Sequence, residues 1–439
     1  MFNPDGAGHG IHLQGKSAPS DNLLIGLSLV LQIVLGLFLG HAYDMRIYMA
    51  TGYLVGTGQN PYVAQNLSSV FNNSSFQGIT SVGYPPPWPL VTGLIYLLTY
   101  KFIPNLLVYN LAIKIPIITA NICLAYLAVN ILKRLGASEK VTHRAWLFLL
   151  FNPLLLYISV AWGQFDSIVA LLSLLALVVL ADGNLTASAL LLALAISFKP
   201  TALPIIPAVF VFLRKRPIQP TVRYFVILFM TMFVICVVPF AIFRWDPTPI
   251  LQHWNAHFTV GGGMSFMTFL ELLNDSYQLP GLWWFVGLIW VPALGVVALI
   301  MKPGGAGLID LLKKSTALVM VFFLFRAWVS EPNLILVLPL ILILSSLGEL
   351  DPRFLTAVWV LPMVFSFFNT STFQLLFPSM PALMDRLLYL SDVYRTARLA
   401  IRTFVVIPWL VTGGWVIVNC LKNTRAYQER FSATGINAR

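Results

Sequence analysis

Apolar runs of roughly twenty residues, separated by short polar breaks, recur along nearly the whole chain. Runs of that length match the ~30 Å hydrocarbon core of a bilayer at 1.5 Å rise per helical residue. They predict spanning helices near 22–40, 106–132, 145–161, 166–182, 185–200, 201–213, 224–243, 281–301, 315–330, 333–347, 355–370 and 400–420. Several of these are short for a full crossing, so their ends are soft. The run 88–104 (WPLVTGLIYLLTYKFIP) is just long enough to cross, and hydropathy alone leaves it open.

The basic residues decide it. The loops KRLGASEKVTHR (133–144) and RKRPIQPTVR (214–223), the 302–314 segment with Lys302, Lys313 and Lys314, and the tail with Lys422, Arg425 and Arg430 carry the positive charge. All fall on the side of the N-terminus if 88–104 does not cross, and all flip outward if it does. Basic loops stay cytoplasmic, so 88–104 is expected to lie in the outer interface, its Pro-rich start and Trp88 suiting that place. The expected fold class is all-α: a polytopic integral membrane protein of about twelve transmembrane helices, with a long first outer loop carrying interfacial helices. Both termini are then cytoplasmic, in a cell membrane or in the ER membrane of a eukaryote. Residues 1–21, polar with Gly6, Gly8 and Gly10, read as a loose tail before a retained helix rather than a signal peptide. Residues 22–420 form one transmembrane domain and 421–439 a second tail.

Composition supports the class. Of 439 residues, 58% are hydrophobic and 10% charged, against about 25% charge in soluble chains. The net charge of +11 sits in short loops between apolar runs, so it reports orientation and no nucleic-acid partner. Cys123, Cys236 and Cys420 stand singly in apolar segments and are expected to be small core residues, with neither a disulfide framework nor a metal spacing.

This topology gathers acidic, aromatic and histidine residues at outer helix ends. They are Asp44 and Arg46 just past the first span, Tyr84 in the YPPP turn, WGQFD (162–166) and SFKP (197–200). The loop RWDPTPILQHWNAHF (244–258) and Arg326 with SEPN (330–333) join them. Charges near a membrane are costly and line cavities or pathways, so gathering at one face argues for a site open to one compartment. Each group has a plainer alternative. Asp44 could solvate a helix end, Asp166 could cap the helix it begins, and Lys199 or Lys114 could snorkel. His253 and His257 have the i, i+4 spacing of a metal pair, but no HExxH accompanies them and no metal site is assigned. Gly261 to Gly263 lack the context of a P-loop and read as a flexible loop.

Four stretches together resemble the GT-C superfamily of polytopic glycosyltransferases. They are YDMRIY after the first span with a long loop ending in YPP, then WGQFDS, ISFKPTALPIIP, and WVSEPNLILVLPLILIL. The order is similar to polyprenol-phosphate-mannose-dependent transferases, to the catalytic subunit of GPI mannosyltransferase I and to dolichol-pathway glucosyltransferases. The chain departs from the pattern in two places. Asp44 stands alone where the family often has an acidic pair, and SEPN replaces the His-Glu-Lys of the glucosyltransferases. The resemblance implies a GT-C-like fold and inverting transfer of a hexose, with mannose the expected one, from a polyprenyl phosphate to a lipid- or glycan-linked acceptor at the outer or lumenal face. It calls for no cofactor beyond the donor substrate, and a divalent metal is not indicated. In that frame Asp44 is the general base, and Lys199 and Arg326 are phosphate partners, with Arg46 and Lys114 as further candidates. Glu331, Asp166, Gln164, Tyr84, His253 and His257 bind sugar hydroxyls or orient the base. Trp88, Trp162 and Trp254 are either sugar platforms or interfacial anchors. The rival class is a transporter or lipid-linked-glycan flippase, which paired repeats and midplane charges would mark.

Overall fold

A computed structural model describes residues 19–79, 82–258, 262–269, 287–303, 307–369 and 371–422. Most of both expected tails, the beginning of the 281–301 run, Gly261 and the side chain of His257 lie outside the described residues. Within them the regular elements are helices, apart from Gly262–Gly263, which pairs in parallel with Trp328–Val329, and two isolated bridges, Gly40 with Leu376 and Gln65 with Ile79. The expected flexible glycine loop is therefore partly a ladder. Gly263 sits at φ +72°, and a Cβ there would stand 2.1 Å from the Val329 carbonyl oxygen, so only glycine allows the two backbones to meet.

The apolar runs become helices with the expected punctuation. Asn105, Asn184 and Asp351 cap their helices by accepting backbone N–H groups, and proline opens Pro87–Leu98, Pro352–Phe368 and Pro381–Val393. Among the described residues, four helical stretches are long and apolar enough to cross a membrane: Leu106–Arg134, Glu139–Trp162, Ile218–Phe243 and Arg395–Leu421. Shorter apolar helices accompany them, including Asp166–Ala181, Leu185–Phe198 and Pro352–Phe368. The Pro87–Leu98 helix has 12 residues; at 1.5 Å each it is about 18 Å long, short of a ~30 Å core.

Side-chain pairs show which helix ends lie together. Asp166, opening one helix, meets Lys199, closing the next, so these two are antiparallel. At the far ends of Leu106–Arg134 and Asp166–Ala181, Arg134 meets Asp182. Lys313 meets Glu349 beyond Leu338–Ser346. The end that gathers Asp166 and Lys199 also holds the close of Pro19–Phe38, since Asn110 and Lys114 donate to the carbonyls of Gly36 and Leu39. Lys114 is fully buried on those carbonyls. It is a cap for a helix C-terminus, neither snorkelling nor open to a phosphate.

The described residues of the expected first outer loop fold into helical elements. The loop holds Ala42–Gly56, two short helical turns (Ser68–Phe71 and Ser74–Phe76) and then Pro87–Leu98. Its Tyr48, Tyr62, Phe71, Phe76 and Trp88 are buried, as is Tyr109 of Leu106–Arg134. Trp88 stacks on Phe165 with centroids 4.3 Å apart, so it is core and not an interfacial anchor. Later in the chain, 371–393 folds back onto the first helix: Gly40 N–H donates to Leu375 O, and the Ser379 hydroxyl to Phe38 O. Of the three cysteines only Cys420 is buried, while Cys123 is exposed.

Gly163 ends the π-helical segment Leu156–Trp162 at φ +98°. A Cβ there would lie 2.4 Å from Met45 Sδ and 3.0 Å from Lys114 Cε. Gly163→Ala is expected to destabilise the protein by about 1–2 kcal/mol from the left-handed backbone alone, with more from the contact. A lowered unfolding temperature in detergent checks this; an unchanged one would show that the turn relaxes freely.

Candidate active site

His41 ends the bend after the first helix and is the N-cap of Ala42–Gly56, its carbonyl accepting Met45 N–H, and the first turn of that helix carries Asp44. Two donors converge on that carboxylate. Trp162 Nε1–H donates to Asp44 Oδ2 at 2.6 Å, and His41 Nδ1 lies 3.0 Å from the same oxygen. The His41 and Trp162 rings are stacked, with centroids 4.3 Å apart and planes 14° from parallel. Burial alone would raise the Asp44 carboxyl. The bonds from His41 and Trp162 and the charge of Lys199 outweigh it and hold Asp44 below its ordinary value, so it is ionised at neutral pH. Its side chain remains 14% accessible.

A second group lies deeper. Lys199 Nζ donates to both oxygens of Asp166, at 2.7 and 2.9 Å, and stands 3.5 Å from Gln164 Oε1. Tyr48 O–H donates to that Gln164 oxygen at 3.2 Å. The Asp166 side chain is only 2% accessible. Asp166 follows the N-cap residue Phe165, and Lys199 takes both oxygens of its carboxylate. The aromatic rings of Tyr84 and Phe165 flank the ammonium, with centroids at 5.4 and 5.5 Å. Burial pushes the Tyr48 phenol well above its ordinary range and raises that of Tyr84, the nearby Asp44 and Asp166 carboxylates adding to both. Both phenols therefore stay neutral and able to donate.

Tyr84 joins this group to Arg326. Arg326 follows Leu308–Phe325, is half-buried, lies within electrostatic reach of Tyr84, and places its guanidinium 5.2 Å from the Phe322 ring centroid. Among the described residues no carboxylate lies within salt-bridge distance of it. Arg326 is thus a cation near the site with no carboxylate partner among the described residues.

The other expected site residues divide. Glu331 is buried beside the same helix ends and accepts from Asn369 Nδ2 at 3.0 Å and from the Ser366 hydroxyl at 3.4 Å. Its segment packs on Asp166–Ala181. Arg46 is turned away, because residues two apart on a helix do not share a face. Its guanidinium donates to the carbonyls of Ala42 and Ser75, pinning the loop instead of facing a phosphate beside Asp44. His253 lies against Gly83, just before Tyr84, where a Cβ would come 2.2 Å from its Nε2. Trp254 Nε1–H donates to Gly83 O at 2.9 Å. Sequence reasoning passed over His41, Tyr48 and the indole of Trp162 as direct partners of the charged groups. Their proximity to Asp44 or WGQFDS was the only sequence signal.

The arrangement places an ionised, partly accessible carboxylate, two neutral phenols and two cations at one end of a helical bundle. It can accept a proton from a hydroxyl and stabilise an anion. Residues 41–215 match the family described as Alpha-(1->6)-mannopyranosyltransferase, N-terminal domain. No curated protein matched the chain. The matched stretch contains Asp44, Tyr84, Gln164, Asp166 and Lys199, and over that stretch the chain is similar to a mannosyltransferase family of the GT-C type.

Proposed function

We propose that the protein transfers mannose from a polyprenyl-phosphate donor to a lipid- or glycan-linked acceptor, forming an α-(1→6) linkage with inversion. The observation that carries this is that Tyr84 lies within electrostatic reach of both the ionised, accessible Asp44 and Arg326, which has no carboxylate partner among the described residues. Asp44 takes the proton of the acceptor hydroxyl as its oxygen attacks the anomeric carbon. The bond from that carbon to the phosphate oxygen breaks, and the polyprenyl phosphate leaves with the bonding electrons. Arg326 meets the growing phosphate charge, with Lys199 behind it. Asp166 is held by Lys199 and is not free to act as a nucleophile, which favours a single displacement over a covalent intermediate. The site opens to the outer or lumenal face, with about twelve spans and cytoplasmic termini, because the basic loops follow the opposite helix ends. Linkage and sugar rest on the description of the matched family.

The test incubates purified protein with labelled polyprenyl-phosphate mannose, then polyprenyl-phosphate glucose, and glycan or lipid acceptors. Transfer from the mannose donor is the expected result. Passage of intact donor across vesicles without transfer would establish the transporter instead. In the same assay Arg326→Ala should raise the donor KM about 10- to 100-fold, the scale of a lost charge-assisted contact of about 1.5–3 kcal/mol. An unchanged KM would remove Arg326 from the phosphate site.

A further inference from the structure

Both side-chain donors that reach Asp44 end on one oxygen. Trp162 Nε1–H and His41 Nδ1 meet Oδ2 at 2.6 and 3.0 Å. The two donors are also locked to each other, through their stacked rings and through His41 N–H donating to the Trp162 carbonyl at 3.0 Å. Trp162 closes the π-helical segment Leu156–Trp162. A π turn holds an extra residue, which rotates everything after it relative to a continued α-helix, and such turns concentrate at functional sites.

The proton on His41 can be placed. Nδ1 lies 3.4 Å from the Asp44 backbone N–H and 3.0 Å from Asp44 Oδ2. One nitrogen cannot accept from the amide and donate to the carboxylate at once. An unprotonated Nδ1 would set its lone pair against an anionic oxygen at the shorter distance, so Nδ1 carries the proton and donates.

We infer that His41 and Trp162 are positioning residues that pin Oδ2 of Asp44 and leave Oδ1 as the atom receiving the acceptor proton. This rests on Asp44 being the base. The other ionisable groups facing Asp44 are Tyr48 from its own helix, Tyr84 from the loop before Pro87–Leu98, Asp166 from the first turn of its helix, and Lys199 beyond Leu185–Phe198. They stay in place when the clamp is removed. A lost indole bond, which favours the charged carboxylate, should therefore register in the pH profile.

Trp162→Phe keeps a ring to stack on His41 and removes only the donor. With polyprenyl-phosphate mannose, its kcat should fall about 10- to 100-fold while the donor KM stays within about twofold. The acid limb of its kcat/KM profile should move to higher pH, because protonation of Asp44 becomes easier. His41→Asn offers an amide N–H near the position of Nδ1 and should retain more activity than His41→Phe. That pair carries the same comparison if Trp162→Phe fails to fold. A parental kcat and acid limb in both Trp162→Phe and His41→Phe would overturn the clamp. Asp44→Asn, run alongside, separates two failures. Its loss of activity beside silent clamp variants sinks the clamp alone, whereas its full activity sinks the base itself.

Discussion

Asp44→Asn is expected to lower turnover by about 10²–10⁴-fold, the usual scale of general-base removal, while leaving donor affinity near the parental value. The amide keeps the shape of the carboxylate and can still accept the Trp162 indole N–H, but it cannot take a proton. Its effect should therefore fall on kcat, and kcat/KM should drop equally. The pH dependence has a definite sign. The Asp44 carboxyl is held below its ordinary value, so the base is present at neutral pH. Activity should fall only as pH drops through that lowered value. The stabilisation Asp44 gains from His41 and Trp162 follows the same course: present above the ordinary carboxylate range, lost as the group is protonated. A steady-state pH series with thermal unfolding at each pH reads both. Parental turnover in Asp44→Asn would transfer the base to another carboxylate.

The second large effect concerns the buried pair. Lys199→Ala leaves the Asp166 carboxylate buried and without its ammonium, and Asp166→Ala does the reverse. Removing one partner of a buried ion pair costs about 3–5 kcal/mol. Asp166→Asn does not escape, although asparagine would serve as well as aspartate if the role were capping, because the lost charge is the one facing Lys199. The double variant Lys199→Met with Asp166→Leu should recover much of the loss, since apolar residues of similar volume often replace such pairs without penalty. Unfolding temperatures in detergent test this pattern; single variants as stable as the parent would refute it. The double variant also isolates function. A folded but inactive double variant assigns the ammonium to the donor phosphate, whereas a folded and active one makes the pair a brace between two helices.

Helices, their order and the gathering of polar residues at helix ends were legible in the chain by itself. A run such as Leu106–Arg134 has no stable alternative to an α-helix in an apolar medium, because each backbone polar group must be satisfied within the segment. Asn105 before it, and Lys133 and Arg134 at its close, mark its limits locally. Helix Pro381–Val393 was missed because its 13 residues mix Asp385, Arg386 and Asp392 with apolar positions, too short and too polar for a span signal. Asp44, Asp166, Lys199 and Arg326 could be placed at one end of the bundle from the order of the runs together with the basic loops, which argue against a crossing by 88–104.

Which of them touch was decided only by the tertiary structure. Asp44 and Trp162 are 118 positions apart, and Lys199 and Asp166 are 33 apart. No local pattern says that the lysine takes the buried carboxylate and leaves the accessible one to the indole. That choice follows from the antiparallel packing of Asp166–Ala181 on Leu185–Phe198, and from the π turn before Gly163 that turns Trp162 towards Asp44. Lys114 and Arg46 teach the same lesson. Both are cations beside the site in sequence, yet backbone carbonyls take them up, because a buried donor finds the nearest unsatisfied acceptor whatever the sequence spacing.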